Sequence, residues 1–156
     1  MLSLLALLSS PDAHAKDLRG HFAIGFENQL SGMPALSAKY AFPTSQSQLN
    51  AQLQVVAGWS VEPSADNQSF FGARGLYGVV AEDNLSLLVG AGLGYARSGG
   101  SAAFRVEPLM SAEFFLFGLE NLGLTLQWGL QLDLGSSGTA FRSMGSGAAI
   151  GAHYWF

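Results

Sequence analysis

Cysteine is absent from this sequence, and charged residues and long apolar runs are scarce. Without cysteine, neither a disulfide framework nor a thiolate metal site can form. Only 12% of the residues are charged, whereas a soluble domain carries about 25%, so the surface of a water-soluble protein would be poorly covered. No apolar run reaches the ~18 residues of a transmembrane helix. A net charge of −4 provides no basic patch for nucleic acid.

What the chain does contain is apolar residues and glycine. Its 156 residues suit one domain, 49% of them are hydrophobic, and 20 are glycine. Glycine is unfavourable inside helices, so an all-helical membrane protein is a poor match. The composition favours strands.

Alternation with a period of two dominates the chain after residue 20. The clearest case runs from Leu122 to Leu134, where every second residue is leucine or tryptophan and the residues between are mainly glycine, threonine and glutamine. Successive side chains of a strand point to opposite faces, so this segment predicts a strand with one apolar and one polar face.

Eight such segments follow one another. Most are as long as the ~9–11 tilted residues that cross a membrane, whereas strands of soluble proteins average ~5–6 residues. The sequence therefore predicts an all-β, eight-stranded, antiparallel up-and-down transmembrane barrel. The segments are 22–27, 36–42, 49–61, 71–79, 85–95, 104–116, 122–134 and 143–156.

The side chains on the polar face decide which face points outward. They are mostly small, with few charges, as the lumen of a narrow barrel requires, whereas a soluble lipocalin-like binding barrel would carry many lysines and glutamates there. The apolar face has aromatic residues near strand ends, the position of the aromatic girdles at membrane interfaces. These interface aromatics are Tyr40, Phe42, Trp59, Phe71, Tyr95, Phe104 and Phe114.

The first 15 residues differ from the rest. A short leucine-rich stretch ends at Pro11, and Ala13-His14-Ala15 fits the small-x-small rule for signal-peptide cleavage, although no lysine or arginine precedes the apolar stretch. We expect residues 1–15 to be a signal peptide cleaved after Ala15 and residues 16–156 to be the barrel. The alternative is a short N-terminal helix of the mature protein.

The last strand carries a family resemblance. The alternating residues Ile150, Ala152, Tyr154 and Phe156 resemble the C-terminal assembly signal of Gram-negative outer-membrane proteins. The whole mature chain resembles small eight-stranded barrels of the OmpX and OmpA-transmembrane type, from which it departs in its short outer loops. The resemblance implies an outer-membrane location and, during biogenesis, contact with the barrel-assembly machinery and periplasmic chaperones.

Seven charged residues fall on the lumen side of the predicted strands. Charges inside a low-dielectric wall must be paired, and an eight-stranded interior is just wide enough for side chains. The pattern predicts a charge network that closes the lumen, and a narrow path for ions or small polar solutes is the alternative. The seven residues are Glu27, Lys39, Arg74, Arg105, Glu107, Glu113 and Asp133.

Catalytic and cofactor motifs are not found. A lipid-modifying enzyme would need serine, histidine and an acid within hydrogen-bond reach, but the mature chain keeps only His21 and His153, which we interpret as residues at the lumen mouth. Gly90, Gly92 and Gly94 alternate within a strand and are typical of a narrow lumen wall rather than of a phosphate loop. We therefore expect a monomeric, non-enzymatic barrel without cofactor or metal, in contact with outer-membrane lipid and lipopolysaccharide, in a structural or envelope-interaction role.

Overall fold

The fold consists of strands joined by short connections. The computed structural model describes residues 16–28, 31–44, 49–61, 67–135, 138–143 and 149–156. Among these residues, no helix is long and apolar enough to cross a membrane. The strands are β1 (Phe22–Glu27), β2 (Ala35–Phe42), β3 (Ala51–Ser60), β4 (Gln68–Glu82), β5 (Leu85–Ser98), β6 (Ser101–Leu116), β7 (Leu119–Gly135), β8 (Gly138–Ser143) and β9 (Ala149–Trp155).

The strands close into an antiparallel barrel. From β1 to β7 each strand pairs with the next one along the chain. β7 then pairs with β8 through its second half and with β9 through its first half, and β9 also pairs with β1. Because β8 and β9 occupy one position beside β7, they count as a single strand in two parts. The barrel has eight strand positions, which confirms the predicted all-β, eight-stranded antiparallel barrel.

The two ends of the barrel are unlike. One end, here called the terminal end, holds residues 16–21, the carboxyl terminus and the turns at 83–84 and 117–118. The other, the loop end, holds the connections β1–β2, β3–β4, β5–β6 and β7–β8. The tight turn at the loop end is formed by Gly99 and Gly100, whose φ angles of 54° and 84° favour glycine.

Burial alternates along the strands as the sequence predicts. In β3, Gln52 and Gln54 are 2% and 0% exposed, whereas Leu53 and Val55 between them are 43% and 41% exposed. The same alternation places the seven charged residues predicted for the lumen inside and most large apolar residues outside. A soluble barrel has the opposite arrangement, so the lipocalin-like alternative does not fit.

Glycines provide the space that the interior needs. The Phe70 ring lies against Gly72 and Gly94, and a β-carbon at Gly72 would come within 2.7 Å of the ring. A β-carbon at Gly25 would overlap the backbone of Ala152, where β1 meets β9. The closing seam of the barrel therefore depends on a residue without a side chain.

An apolar cluster that the alternation did not predict fills the terminal end. Leu18 is only 1% exposed and packs with Ala23, Ala41, Phe115 and Trp155. Backbone hydrogen bonds hold residues 16–21, here called the entry segment. Gly20 N–H donates to the Ala41 carbonyl at 2.7 Å, and Ala41 N–H donates to the His21 carbonyl at 3.0 Å. Residues 16–21 thus cover the barrel mouth instead of merely leading into β1.

The predicted strand ends differ from the observed ones in detail. β4, β5 and β6 extend further toward the loop end than the sequence pattern predicts, because polar residues there still pair across the sheet, as Gln68 does with Ser98. The predicted signal peptide, residues 1–15, lies outside the described residues, and its cleavage stays a prediction.

Candidate functional site

The centre of the lumen is organised around Arg74 on β4. Its Nη2 atom lies 3.4 Å from a Glu107 carboxylate oxygen and 3.7 Å from a Glu27 carboxylate oxygen, and all three side chains are fully buried. Arg74 Nη1 also donates a hydrogen bond of 3.1 Å to Gln54 Oε1. Both ion pairs are longer than the 2.7–2.9 Å of a tight charge-assisted hydrogen bond. One guanidinium therefore balances two carboxylates by shared Coulomb attraction.

A second ion pair lies toward the terminal end. Lys39 Nζ donates to Glu113 Oε1 at 2.9 Å, and both side chains are fully buried. The other carboxylate oxygen of Glu113 accepts a hydrogen bond of 3.2 Å from Gln52 Nε2, which also donates to Asn50 Oδ1 at 2.9 Å. This chain of contacts links β2, β3 and β6 across the barrel.

A third pair lies near the loop end. Arg105 on β6 and Asp133 on β7 are direct cross-strand partners and form two hydrogen bonds, of 2.7 and 3.0 Å. The Arg105 guanidinium also lies 6.0 Å from the centroid of the Phe70 ring. The pair borders an open cavity of about 640 Å³ at the loop-end mouth, lined also by Ser31, Gln68 and Arg97.

All seven charged residues predicted for the lumen lie inside the barrel and are joined by ion pairs. The structure brings them together as three clusters at different depths rather than as one network: Arg74 with Glu27 and Glu107, Lys39 with Glu113, and Arg105 with Asp133. These residues are three cations and four carboxylates, so their formal charges nearly cancel. Among the described residues, no group of histidine, aspartate and glutamate could hold a metal ion.

A serine–histidine pair joins β2 to β9. Ser37 Oγ accepts a hydrogen bond of 2.7 Å from Gln54 Nε2 and lies 2.8 Å from His153 Nε2. The Ser37 hydroxyl can donate to His153 Nε2 or accept from it, depending on which ring nitrogen of His153 carries the proton. The sequence predicts His153 at the lumen mouth but gives no sign that Ser37 is its partner. His153 and Ser37 are 0% and 3% exposed, and both are cross-strand partners of Gly25, so the contact links β2 to β9 over β1 and leaves no access for a substrate.

Polar side chains on one side of the lumen make few contacts. Ser111, Thr125 and Gln127 lie on the facing parts of β6 and β7, and Ser111 and Gln127 are direct cross-strand partners. They are 2%, 0% and 0% exposed, and their side-chain polar atoms have no hydrogen-bond partner among the described residues. Gln127 contrasts with Gln54, which is equally buried but makes two hydrogen bonds.

Charged residues of the entry segment stay outside the lumen. Lys16 Nζ donates to the Glu120 carbonyl and to Asn121 Oδ1, and it lies 4.8 Å from the centroid of the Phe115 ring. Partial burial lowers the pKa of Lys16 from its ordinary value. The hydrogen bonds from Arg19 lower the pKa of Asp17 to about 2.

The outer wall carries all seven of the predicted interface aromatics as exposed side chains. Trp59 and Phe71 are the most exposed, at 66% and 65%. Tyr40, Phe42, Tyr95, Phe104 and Phe114 are also exposed.

The residues predicted as an assembly signal lie on the outer side of β9 and just beyond it. Ile150, Tyr154 and Phe156 are exposed, and Ala152 is half-buried. The Tyr154 and Phe156 rings meet edge to face with centroids 5.1 Å apart, and Phe156 N–H donates to the Phe22 carbonyl of β1. Trp155, between them, points inward and is 1% exposed.

Comparison with known proteins adds little to this geometry. No protein-family model matches the chain, and no curated protein matches it. Among solved structures, it is similar to the Yersinia pestis outer membrane protein Ail in a phospholipid bilayer nanodisc, with 14% sequence identity and a TM-score of 0.48. The match covers 87% of this chain and 97% of that one. The barrel architecture rests on the strand pairing of this chain itself.

Proposed function

We propose that this chain is a small monomeric outer-membrane barrel whose lumen is closed by its own side chains. Its role is structural or one of envelope interaction. In this proposal the chain is exported through its signal peptide, the terminal end faces the periplasm and the loop end faces the outside. Its outer wall contacts membrane lipid and lipopolysaccharide.

The observation that carries the proposal is the burial pattern. The outer wall exposes large apolar side chains such as Leu53, Tyr95 and Trp128, while Arg74, Lys39 and Glu113 are completely buried. In water, an exposed apolar surface of this extent would drive aggregation. In a bilayer, the same surface matches the hydrocarbon, and a closed barrel leaves no unpaired sheet edge.

The buried ion pairs support a closed lumen. A diffusing ion would have to displace the Arg74 and Lys39 clusters, and removing one partner of a buried pair is strongly unfavourable. The apolar cluster around Leu18 adds a second barrier at the terminal end. The experiment is planar-bilayer recording with pure refolded protein. We expect no stable single-channel steps, and reproducible steps would favour the alternative of a narrow channel for ions or small polar solutes.

An enzymatic role is the other alternative. The Ser37–His153 pair is the one serine–histidine contact among the described residues, and it is buried. We therefore infer a non-enzymatic barrel. Mass analysis of lipid A from cells with and without the protein tests this inference. Unchanged lipid A species are expected, and a changed acylation pattern would overturn it.

The pairing of β9, the last strand, supports a role for it in barrel assembly. Since β9 pairs with both β1 and β7, the barrel closes only after this strand is in place. We infer that Ile150, Ala152, Tyr154 and Phe156 are the segment that the barrel-assembly machinery binds, by strand addition to an exposed edge. Deleting Phe156 is expected to slow insertion into membranes more than it lowers the stability of the finished barrel. A deletion that, relative to the parent protein, affects the stability of the finished barrel as much as the rate of insertion would contradict this role.

A further inference from the structure

Strand β6 contains a proline where a closed sheet normally excludes one. Pro108 lies in the middle of β6, which pairs with β5 on one side and with β7 on the other. Proline has no N–H to donate to a neighbouring strand, so in sheets it is confined almost entirely to edge strands and bulges. Pro108 is exposed on the outer wall, and packing inside the lumen therefore does not account for it.

The ladder between β6 and β7 is interrupted at Pro108. On the loop-end side of the interruption, Val106 pairs with Leu132. On the other side, Leu109 pairs with Gly129. Within the described part of the sheet, the two positions between these pairs have no ladder partner on the facing strand. Both strands advance by three residues between the pairs, from 106 to 109 and from 132 to 129, so the interruption is not a bulge.

Beyond the interruption lie the second half of β7 and the strand β8. Residues 130–135 of β7 pair with β8 over their whole length, and among the described residues β8 pairs with β7 alone. These two stretches, residues 130–135 and Gly138–Ser143, are here called the flap. The flap is joined to β6 only through the pairs that Ala103 to Val106 make with β7. One short ladder therefore attaches it to the neighbouring wall.

An ion pair holds this short ladder together. Arg105 of β6 donates two hydrogen bonds, of 2.7 and 3.0 Å, to the Asp133 carboxylate of the flap, and both residues are buried. A bidentate arginine–carboxylate pair is strong, but it depends on a fixed geometry of its two partners. The Arg105–Asp133 pair would therefore break as a unit if β7 moved away from β6.

The flap borders the open cavity of about 640 Å³ at the loop end, here called the mouth cavity. Gln131 and Asp133 line this cavity from the flap, and Gln68 lines it from β4. Because the flap forms one wall, its separation from β6 would widen the mouth cavity. The Arg74 and Lys39 clusters lie deeper in the lumen, so the barrel would stay closed to through passage.

We propose that the flap is a lid on the mouth cavity, hinged at Gly129 and held shut by the Arg105–Asp133 pair. Gly129 suits a hinge because glycine has the widest range of backbone conformations and because the ladder to β6 stops directly after it. Opening of the lid admits small polar solutes from the medium at the loop end to the polar lining of the cavity. This motion goes beyond the proposed function, which requires only a closed lumen.

The test is hydrogen–deuterium exchange of backbone amides, measured by NMR on the refolded protein in lipid nanodiscs. We expect the amides of residues 132–134 in the flap to exchange about tenfold faster than those of residues 124–128 on the same strand. Residues 93–96 of β5 pair with the same stretch of β6 as the flap and control for fraying at the loop end. They should exchange as slowly as residues 124–128.

Pro108→Val tests the hinge. Valine restores an N–H on β6 and suits an exposed strand position, so it should slow exchange in the flap about tenfold. Ala91→Val changes the partner of Pro108 on β5 without restoring a hydrogen bond and is the matched control. It should leave exchange in the flap within about twofold. Equal effects of the two variants would overturn the hinge.

A reversible disulfide tests the motion itself. Ala103 and Gly135 are cross-strand partners, and a β-carbon at Gly135 would lie 3.2 Å from that of Ala103, close to the ~3.5–4.5 Å of disulfides. In the double variant Ala103→Cys, Gly135→Cys, oxidation should slow exchange in the flap to the rate of residues 124–128, and reduction should reverse this. Equal exchange in the oxidised and reduced forms would contradict the lid.

Heat-modifiable gel mobility first shows that each variant forms a closed barrel. The comparison of the flap with residues 124–128 and 93–96 needs no substitution and stands if a variant does not fold. A closed, non-conducting barrel whose flap exchanges as slowly as both reference segments would overturn the lid and leave the proposed function intact.

Discussion

The inner and outer faces of β3 differ in almost every physical respect, although their residues alternate along one segment. Gln52 and Gln54 point inward and have named hydrogen-bond partners, whereas Leu53 and Val55 point outward and contact mainly the surroundings of the barrel. Inner residues depend on particular partners, while outer residues depend only on being apolar. Inner substitutions should therefore be specific and costly, and outer substitutions should matter only when they change polarity.

Arg74→Leu should have the largest effect. It leaves the buried Glu27 and Glu107 carboxylates without the Arg74 cation, and breaking a buried ion pair costs about 3–5 kcal/mol. The measurement is urea unfolding of refolded protein in lipid vesicles, followed by heat-modifiable mobility. Arg97→Leu, which removes an exposed arginine, is the control and should change stability by less than about 0.5 kcal/mol. Equal losses of stability for the two variants would show that inner and outer residues do not differ in their dependence on particular partners.

Val55→Lys should have the next largest effect on stability. A lysine on the lipid face of a barrel strand near the bilayer midplane costs about 2–4 kcal/mol. Val55→Leu keeps the face apolar and should be close to neutral. The same vesicle unfolding assay measures both variants. A Val55→Lys protein as stable as the parent would show that this face does not lie in hydrocarbon.

Gln54→Met and Gln127→Met compare two regions of the lumen. Gln54→Met leaves the buried Arg74 Nη1 without its acceptor and the buried Ser37 Oγ without the Gln54 donor, which costs about 1–3 kcal/mol. Gln127 has no side-chain partner among the described residues, so its replacement by methionine, similar in size, should be neutral or stabilising. Unfolding midpoints of the two variants decide the matter. A larger loss for Gln127→Met would show that the β6–β7 wall is bonded as fully as the Arg74 cluster.

The smallest effect is expected outside the barrel wall, at Asp17. Its pKa is lowered from 3.8 to about 2 by the Arg19 hydrogen bonds. A carboxyl with a lowered folded-state pKa contributes stability above its unfolded value of 3.8, and this contribution is lost as the pH falls from there through about 2. Because the Asp17 side chain is exposed and that of Arg19 is partly exposed, the effect on unfolding should be slight. Carbon-13 NMR titration of Asp17 measures it, and Arg19→Gln should return the pKa toward 3.8; an unchanged pKa would contradict this contact.

The sequence alone predicts the two faces well and their contacts poorly. Alternation with a period of two identifies the inward position of Lys39 and Glu113, because face is a local property of a strand. Their pairing joins residues 74 positions apart and depends on the stagger of the strands around the barrel, which no local pattern encodes. The same reason hides Ser37, the partner of His153, at a separation of 116 residues.

The sequence pattern also does not predict two apolar side chains that lie inside the barrel, those of Leu18 and Phe70. Leu18 precedes the first alternating segment, so its side chain has no predicted face. Its burial follows from the narrow mouth, where Phe115 and Trp155 leave an apolar gap for one more side chain. Phe70 likewise precedes a predicted segment. Its ring points inward because Gly72 on the same strand and Gly94 on the neighbouring strand leave space for it.

The central claim is that the apolar face of the strands meets hydrocarbon and the polar face lies in the lumen. Because the chain has no cysteine, a single spin label at Val55→Cys can be placed without altering any other site. In lipid vesicles, electron paramagnetic resonance should find this label readily accessible to oxygen, which concentrates in the bilayer, and shielded from a water-soluble nickel complex. Strong accessibility to the nickel complex with little to oxygen would contradict the account.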